Sequence, residues 1–398
     1  MSKISEKLDI INNAKNDIKT AIENKGVSVG DVGLQEYASK IDELKTSNEK
    51  YFTETIASGS SSAPGILKTI SKTPSLKLSG TSAQHLFSNA TSLESIESLD
   101  ITGATNTSYM FYYCSSLKTI PDLDMSKVTT ANNMFYYCSS LTNLPDLDIS
   151  KVTNASNMFY QCSSLKTIPE LNMSSVTNAS SMLRYCGSLE NVSLINTNNI
   201  TDANYMFGNC SALKSINTLD LSSCTKTDYM FTGCKNLVNV NFINVNNLTS
   251  AMSMFYECEN LETVNGLDTS KLTSVSSLFY GCKKLHTLPL LDFSNVTNAY
   301  YIFNYCYALK DLAGFKDYGK AFISYGVPNY GYYALTLNAS NNLTEESMIN
   351  VLNNVYDIAS MNHAVQQIIF GKTNLAKLTS EAGQAALANA QAKGWSIS

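Results

Sequence analysis

Residues 134–141 are Met134-Phe135-Tyr136-Tyr137-Cys138-Ser139-Ser140-Leu141, and this pattern returns every 24 residues along the middle of the 398-residue chain. The cysteine of the pattern keeps that spacing over nine copies. A fixed period of this length indicates a solenoid, in which each unit adds one coil to a stack. We therefore expect an extended binding surface rather than a catalytic pocket. The cysteine column is Cys114, Cys138, Cys162, Cys186, Cys210, Cys234, Cys258, Cys282 and Cys306.

Each unit contains the signals of one short strand and one turn. The L-x-x-I segment after the cysteine is rich in β-branched residues and predicts a strand. Met134 and Cys138 lie four residues apart, so the Met-Phe-x-x-Cys segment predicts a helical turn with Tyr136 and Tyr137 outward. Parallel pairing at ~4.8 Å between about ten coils predicts a body roughly 45–50 Å long. A further inward apolar column is predicted at Leu123, Leu147, Leu171, Ile195, Leu219, Ile243, Leu267 and Leu291.

A polar column alternates with the apolar ones and predicts turns. Its aspartates and asparagines are residues that bond to their own backbone two residues on. Equally spaced aspartates repel one another, and asparagine in three central coils relieves this repulsion. The alternative is a calcium site shared between coils, since carboxylates bind hard cations. The column is Asp100, Asp124, Asp148, Asn172, Asn196, Asp220, Asn244, Asp268 and Asp292.

Composition excludes several classes of function. The net charge is −5 and no basic patch is present, so we expect no nucleic-acid partner. No run approaches the ~18 apolar residues of a membrane span, so we expect no membrane insertion. The chain has three histidines, none within a recognisable catalytic motif, and no Gly-rich phosphate loop. We therefore expect neither enzymatic activity nor a cofactor.

The cysteine column is predicted to be structural, because cysteine packs as a small buried hydrophobe. Neighbouring coils would hold their Cβ atoms at ~4.8 Å, beyond the 3.5–4.5 Å of a disulfide. A zinc site would need paired C-x-x-C or nearby histidines, which the repeat lacks. The column therefore predicts neither a disulfide nor a metal.

With these columns in place, the repeat resembles the BspA-like leucine-rich repeats, in particular the 24-residue Mycoplasma-lipoprotein type. The resemblance is carried by residues 134–141 and by Leu147-Asp148-Ile149-Ser150-Lys151-Val152-Thr153, and it covers residues 66–315. It implies an α/β solenoid, right-handed and leucine-rich, that serves surface display and adhesion without enzymatic activity. Unlike secreted members, the N-terminus shows no apolar signal segment or lipid-attachment cysteine, so we expect synthesis into a reducing cytoplasm.

Residues 1–45 form a separate module in the sequence. An isoleucine-rich stripe at helical spacing predicts a helix that docks or oligomerises through its apolar side. The phrases at residues 17–27 and 37–41 resemble an N-terminal module of tail and fibre proteins from phages of gut bacteria; a plain helical hairpin is the alternative. Residues 46–65 are Ser-rich and predict a flexible linker. The candidate anchor residues are Ile4, Leu8, Ile11, Ile18 and Ile22.

Residues 316–398 leave the 24-residue register. The Tyr- and Gly-rich residues 316–334 predict an irregular loop, and residues 318–333 within it are a second candidate binding segment. Strands are predicted at Leu335 to Leu337 and Gln367 to Phe370, and helices from Thr344 to about Asp357 and from about Thr373 to Ala392. This order resembles an α/β cap that closes leucine-rich arrays.

Exposed tyrosines are the candidate binding surface, since aromatic rings make flat, amphipathic contacts with protein or sugar. The alternative is that the rings only cover the gaps between stacked turns. Further tyrosines, among them Tyr109, Tyr205, Tyr229 and Tyr301, precede the inward phenylalanine. The candidates are Tyr112, Tyr113, Tyr136, Tyr137, Tyr160, Tyr185, Tyr256, Tyr280, Tyr305, Tyr325 and Tyr330.

Three functions fit these observations. The first is a phage virion structural protein, a tail fibre, head fibre or decoration, held to other virion proteins through residues 1–45. Its solenoid would bind a host surface protein or glycan, and a homotrimer would fit fibre symmetry. The second is a BspA-like adhesin on the bacterial cell surface. The third is an intracellular scaffolding protein.

Overall fold

The computed structural model describes residues 69–70, 76–78, 80–320, 334–359 and 366–398. A parallel solenoid occupies the central range. Parallel bridges join residues 24 apart from Ser82 through Asn106 and onward to Asn298 without interruption. The predicted α/β solenoid is therefore confirmed. The predicted N-terminal helical module and the linker lie outside the described residues, as do Tyr325 and Tyr330.

The strands are two to five residues long and pair with the coil before or after. The L-x-x-I segments before Pro145 and Pro169 carry no strand within the described residues, whereas Thr287–Leu288, directly before Pro289, form one. The solenoid strands are β1 Thr69–Ile70, β2 Leu76–Lys77, β3 Ser95–Ile96, β4 Leu99–Asp100, β5 Leu171–Asn172, β6 Asn191–Val192, β7 Leu194–Ile195, β8 Ser215–Ile216, β9 Leu219–Asp220, β10 Asn239–Ile243, β11 Thr263–Asn265, β12 Thr287–Leu288, β13 Leu291–Asp292, β14 Asp311–Leu312 and β15 Phe315–Lys316; a 3-10 helix spans Thr197–Asn199.

The Met-Phe-x-x-Cys segments are consecutive turns, so the prediction of a helical turn was wrong. Alternate N–H groups bond within the coil and to the next coil: Met134 donates to Ala131 O, and Phe135 donates to Met158 O. An α-helix would use every N–H internally and leave none for the neighbouring coil. Asn133 and Tyr137 adopt left-handed backbone with φ of 56° and 63°, which lets the chain alternate between the two sets of bonds.

A stack of phenylalanine rings forms the centre of the solenoid. The rings of Phe207, Phe231, Phe255 and Phe279 lie parallel, with centroids 5.1–5.6 Å apart along this series. All four side chains are fully buried. The 24-residue period therefore stacks equivalent phenylalanines of successive coils on one another, a contact that one isolated coil cannot make.

A column of threonines, which the sequence analysis did not single out, joins the coils from outside. Each threonine from Thr105 to Thr297 donates its Oγ1 hydrogen to the carbonyl oxygen of the threonine 24 residues earlier, at 2.9–3.3 Å. The predicted Asp/Asn turns are also present. For example, Ser126 N–H donates to Asp124 Oδ1 at 3.1 Å. Hydrogen bonds from the Ser126 hydroxyl and N–H lower the pKa of Asp124.

Two members of the predicted inward apolar column point outward instead. Ile195 is 36% exposed and Ile243 is 49% exposed, whereas Leu194 and Phe242 are buried. Leu194 pairs with Leu171, a separation of 23 residues rather than 24. A slip of one residue turns each side chain to the other face of a strand. Asn196, in left-handed backbone with φ of 58°, then absorbs the extra residue as in a β-bulge.

Residues 334–359 and 366–398 pack on the last coil as an α/β unit. Strands β16 Leu335–Thr336, β17 Gln366–Ile369 and β18 Trp395–Ile397 form a parallel sheet, with helices α1 Glu345–Asn354, α2 Lys372–Leu375 and α3 Glu381–Ala392. Thr344 caps α1 as predicted, accepting from Ser347 N–H. The predicted single helix from Thr373 to Ala392 was wrong. It is split because Ser380 starts a new helix by accepting from Gly383 N–H at 3.0 Å.

Tyr318 corrects part of the prediction for the Tyr-rich segment. Its side chain is fully buried, and its ring contacts Phe293 and Trp395 at centroid distances of 5.3 and 5.8 Å. It pairs with Val355 in a parallel bridge and so joins the solenoid to the C-terminal unit. Tyr318 is therefore a core residue and not part of a binding segment.

Candidate functional site: the tyrosine face

All ten cysteines are free and buried, and the nine of the column occupy one inward corner of successive coils. Each of the nine thiols donates to the carbonyl oxygen 27 residues earlier, as Cys138 Sγ does to Phe111 O at 3.1 Å. This bond ties each coil to the preceding one. Burial raises the pKa of Cys114 to about 12, so this thiol stays protonated at neutral pH. The column is thus hydrogen-bonded core, a role that goes beyond the predicted hydrophobic packing.

Tyrosines cover the outer side of the Met-Phe-x-x-Cys turns. Tyr136 and Tyr160 stack at 4.5 Å with 4° between the ring planes, and Tyr112 stacks on Tyr136 at 5.0 Å. Tyr113 and Tyr137 form a parallel row beside them at 4.8 Å. We call the N-terminal row the group Tyr109, Tyr112, Tyr113, Tyr136, Tyr137, Tyr160, Tyr185, Tyr205 and Tyr229.

Arg184 closes the gap in this row, at a position where preceding coils carry tyrosine. Its guanidinium carbon lies 5.0 Å from the ring centroid of Tyr185 and 3.9 Å from that of Tyr205. Tyr205 in turn stacks on Tyr229 at 4.5 Å. Through Arg184, the N-terminal row is continuous from Tyr109 to Tyr229.

A second group continues after a break at Thr232 and Gly233. Tyr256 and Tyr280 stack at 4.7 Å, and Tyr305 meets Tyr280 edge-on at 5.1 Å. Tyr305 and Tyr307 are each 49% exposed. We call Tyr256, Tyr280, Tyr305 and Tyr307 the C-terminal row, and the two rows together the tyrosine face.

Several of these tyrosines stand in left-handed backbone. Tyr137 and Tyr185 have φ of 63° and 64°, at a position where Gly233 and Gly281 occur in other coils. Left-handed backbone costs about 1–2 kcal/mol for a residue with a side chain, and a stacked aromatic pair contributes about 0.5–1.5 kcal/mol. Ring stacking therefore offsets much of the backbone cost and holds the rings in one arrangement.

The hydroxyls of Tyr136 and Tyr160 are held in the neutral form, because their pKa values are raised. Burial, followed by the neighbouring phenols, raises the pKa of Tyr136 to about 12. Burial likewise raises the pKa of Tyr160, an effect that the nearby Arg184 charge opposes. Because ring faces contact one another along each row, the face presents ring edges and hydroxyls, which donate and accept hydrogen bonds.

A groove of about 580 Å³ lies between strands β11, β12 and β14 and the start of α1. Its lining includes Asp311 and Glu346 with threonine and asparagine side chains. It holds neither histidine nor cysteine. Among the described residues, no group of three or more histidine, cysteine, aspartate or glutamate side chains is placed to hold a metal ion.

The structure brings most predicted surface tyrosines together. Tyr112, Tyr113, Tyr136, Tyr137, Tyr160 and Tyr185 share one row, whereas Tyr256, Tyr280 and Tyr305 form another. The anchor residues 4–22 and the tyrosines at 325 and 330 lie outside the described residues. Sequence reasoning missed Arg184, although it is the only arginine in the chain. None of the helices in the described ranges combines the length and the apolar character that a membrane span requires.

Several solved structures are similar to this chain. A leucine-rich cell surface protein from Faecalibacterium prausnitzii has 21% identity, with 55% of this chain and 78% of that chain covered and a TM-score of 0.25. A leucine-rich repeat protein from Eubacterium ventriosum has 17% identity, with 67% of this chain and 75% of that chain covered and a TM-score of 0.31. One from Bacteroides ovatus has 12% identity, with 81% of this chain and 86% of that chain covered and a TM-score of 0.24.

No curated protein matches the sequence. The sequence pattern of the family described as "Mycoplasma protein of unknown function, DUF285" matches residues 81–191, 139–242 and 201–315. The matches coincide with the coils whose columns, thiol bonds and turns are described above. Together they span 81–315, more than half of the 398 residues, so the chain belongs to the Mycoplasma family of unknown function DUF285.

Proposed function

We propose that this chain is a non-enzymatic binding protein of the adhesin type and that the tyrosine face is the surface that binds its partner. The observation that carries the proposal is the continuous row of half-buried tyrosines from Tyr109 to Tyr229. Tyrosine and arginine are the residues in which binding energy concentrates at protein interfaces. A rigid array of them loses little side-chain entropy on binding.

A protein partner fits this face better than a glycan. A sugar ring packs on the face of an aromatic ring, but in the stacked pairs those faces are already covered, as between Tyr136 and Tyr160 at 4.5 Å. The exposed edges combine apolar carbon with a hydroxyl, which suits the mixed polar and apolar surface of a protein. The wider spaced and more exposed Tyr305 and Tyr307 are the positions where a sugar ring could stack.

The proposal predicts a loss of binding when stacked tyrosines are removed. The double variant Tyr136→Ser/Tyr160→Ser should bind a host-surface protein at least about tenfold more weakly than the unaltered chain, because it loses two interface aromatics. The measurement is biolayer interferometry against immobilised fibronectin, laminin, collagen and mucin, with a glycan array in parallel. Circular dichroism checks that the solenoid remains folded.

Two controls accompany this test. Lys127→Ser/Lys151→Ser changes two exposed residues outside the tyrosine face and should leave the affinity within about twofold. Tyr136→Phe/Tyr160→Phe keeps the rings and separates the contribution of the hydroxyls. Binding to none of the immobilised proteins, or equal affinity of the serine and lysine double variants, would contradict the proposal. Binding to glycans alone would reject the choice of a protein partner.

A narrower form of the proposal places the solenoid on a phage particle, held by residues 1–45. Its support is the sequence resemblance of that segment to phage tail and fibre modules. Under this form, a chain lacking residues 1–45 should keep its folded solenoid and fail to enter particles, as measured by mass spectrometry of purified virions. Incorporation at the normal level would reject the anchor and favour the adhesin form, with a location on the bacterial cell surface.

A further inference from the structure

Arg184 stands apart from every other basic residue of the chain. It is the only arginine in 398 residues, against 27 lysines among the 28 basic residues. Its guanidinium lies between Tyr185 and Tyr205, 3.9 Å from the centroid of the Tyr205 ring. Lysine would not fill this position equally, because its ammonium is a point charge without the flat surface that stacks on aromatic rings.

The charge of Arg184 has no carboxylate partner among the described residues. Several lysines of the solenoid are paired along the coils, as Lys118 is with Glu94 at 2.9 Å and Lys214 with Glu190 at 2.7 Å. Arg184 makes no such pair, and its buried Nε has no hydrogen-bond partner within the described ranges. Its Nη2 reaches only the Tyr185 hydroxyl, at 3.4 Å. The terminal Nη groups, unlike the buried Nε, are therefore the donors that remain for a ligand.

The coil that follows places the ring of Tyr205 on the guanidinium but no side chain over the stem of Arg184. Gly208 occupies the equivalent position 24 residues on, where Tyr136 and Tyr160 stand in earlier coils. A Cβ atom at Gly208 would lie 3.4 Å from Cγ of Arg184. Any larger side chain would thus lie over the stem of the arginine. Glycine here leaves the stem uncovered, between Arg184 Cγ and Thr232 Cγ2, each 3.4 Å from the position of such a Cβ.

The phenol hydroxyls around the guanidinium complete the site. Its charge acts on the hydroxyls of both Tyr160 and Tyr205, where it opposes the rise in pKa caused by burial. Neutral phenols beside a cation can donate to the same oxygen atoms that the cation attracts. A planar guanidinium flanked by hydroxyl donors matches a carboxylate, which accepts two parallel N–H bonds.

We propose that Arg184 is the anchor of the tyrosine face and receives an aspartate or glutamate carboxylate of a protein partner. This inference rests on the proposed function, which supplies the protein partner. The rings of Tyr185 and Tyr205 hold the guanidinium in place before binding, so the fork needs no reordering when the carboxylate arrives. Arg184 thereby selects partners with an acidic residue at the centre of their contact.

The single arginine permits a direct test on the full-length chain. A dicarbonyl reagent specific for arginine can modify only position 184, and intact-mass spectrometry reports the modified fraction. The probes are a synthetic peptide with one glutamate among tyrosine and serine residues, its twin with glutamine, and sialyllactose. We expect the glutamate peptide to protect Arg184 in a concentration-dependent way and the other two to leave it reactive. Equal protection by the two peptides, or none by either, overturns the proposal, and stronger protection by sialyllactose overturns the choice of a protein carboxylate.

Substitutions separate this inference from the proposed function. Arg184→Lys should weaken binding of the glutamate peptide about tenfold, since it keeps the charge but loses the bidentate fork. Lys166→Gln removes one exposed charge elsewhere and should change the affinity less than about twofold. If Tyr136→Ser/Tyr160→Ser loses binding to the immobilised proteins while Arg184→Lys keeps it, the anchor is wrong and the binding face stands. If neither variant loses binding, the proposed function itself fails.

Discussion

Replacement of Phe231 by alanine is expected to lower the free energy of unfolding by about 3–5 kcal/mol. Phe231 is fully buried and stacks on Phe207 at 5.1 Å and on Phe255 at 5.5 Å. The cavity cannot collapse easily, because backbone bonds such as Phe231 N–H to Met254 O fix the distance between coils. The substitution therefore removes ring contacts with both the preceding and the following coil.

Urea unfolding followed by circular dichroism measures the total loss. Because repeat arrays transmit stability between neighbouring coils, hydrogen–deuterium exchange should show the largest loss of protection in residues 207–255. Lys271→Ala, at an exposed position, is the control and should stay within about 0.5 kcal/mol of the unaltered chain. A loss below about 1 kcal/mol for Phe231→Ala would show that the ring stack is not the centre of the core.

Replacement of Gly266 by alanine is expected to lower the free energy of unfolding by about 2–5 kcal/mol. Gly266 has φ of +73°, and a Cβ atom there would lie 2.1 Å from the carbonyl oxygen of Phe242 in the preceding coil. That oxygen belongs to the backbone of strand β10 and cannot rotate away. Alanine must therefore separate two coils in addition to straining its own backbone.

Gly281→Ala is the matched control. Gly281 has φ of +74°, but its added Cβ would meet the flexible side chain of Glu257, with Cγ at 3.3 Å. Tyr305, one coil later at the equivalent position, adopts φ of 64° and shows that a side chain is accommodated. We expect Gly281→Ala to cost only about 1–2 kcal/mol. Thermal and urea unfolding compare the two variants, and equal losses would argue against the backbone clash at Gly266.

The periodic features of this fold could be predicted because they depend on spacing alone. The repeat placed Cys138 and its equivalents at one inward corner, and all nine are buried. The Asp124 turn followed from local backbone chemistry, which acts within two residues. The cap of α1 at Thr344 is another such local signal. The match of residues 81–315 to one family agrees with this regularity.

Other features could not be predicted, because they depend on residues of the neighbouring coil, 23–27 positions away in the sequence. The thiol of Cys138 bonds to a carbonyl of the preceding coil, so the residue type alone does not reveal the bond. Spacing could not reveal that Ile195 turns outward, because the slip depends on how Leu194 pairs with Leu171. The turns at Tyr137 resemble a helix in spacing but bond to the next coil.

In the candidate site, too, some features could be predicted from the sequence and others depend on the neighbouring coil. Sequence reasoning selected the tyrosines on the turns, since their position next to an inward phenylalanine points them outward. It left open whether the rings form one surface and did not single out Arg184. Those answers depend on ring positions 24 residues apart, such as Tyr205 on Tyr229 at 4.5 Å.

By itself, the sequence determined that this protein is a solenoid of 24-residue coils and which columns face its core, apart from the positions of Ile195 and Ile243. A strict period suffices for this, because every coil must bury the same positions against its neighbours. Only the tertiary structure decided the turn conformation, the slipped strands at Ile195 and Ile243, and the joining of separate tyrosines through Arg184 into one face. These features arise between coils, where backbone bonding and ring contacts depend on the neighbouring coil rather than on the local sequence.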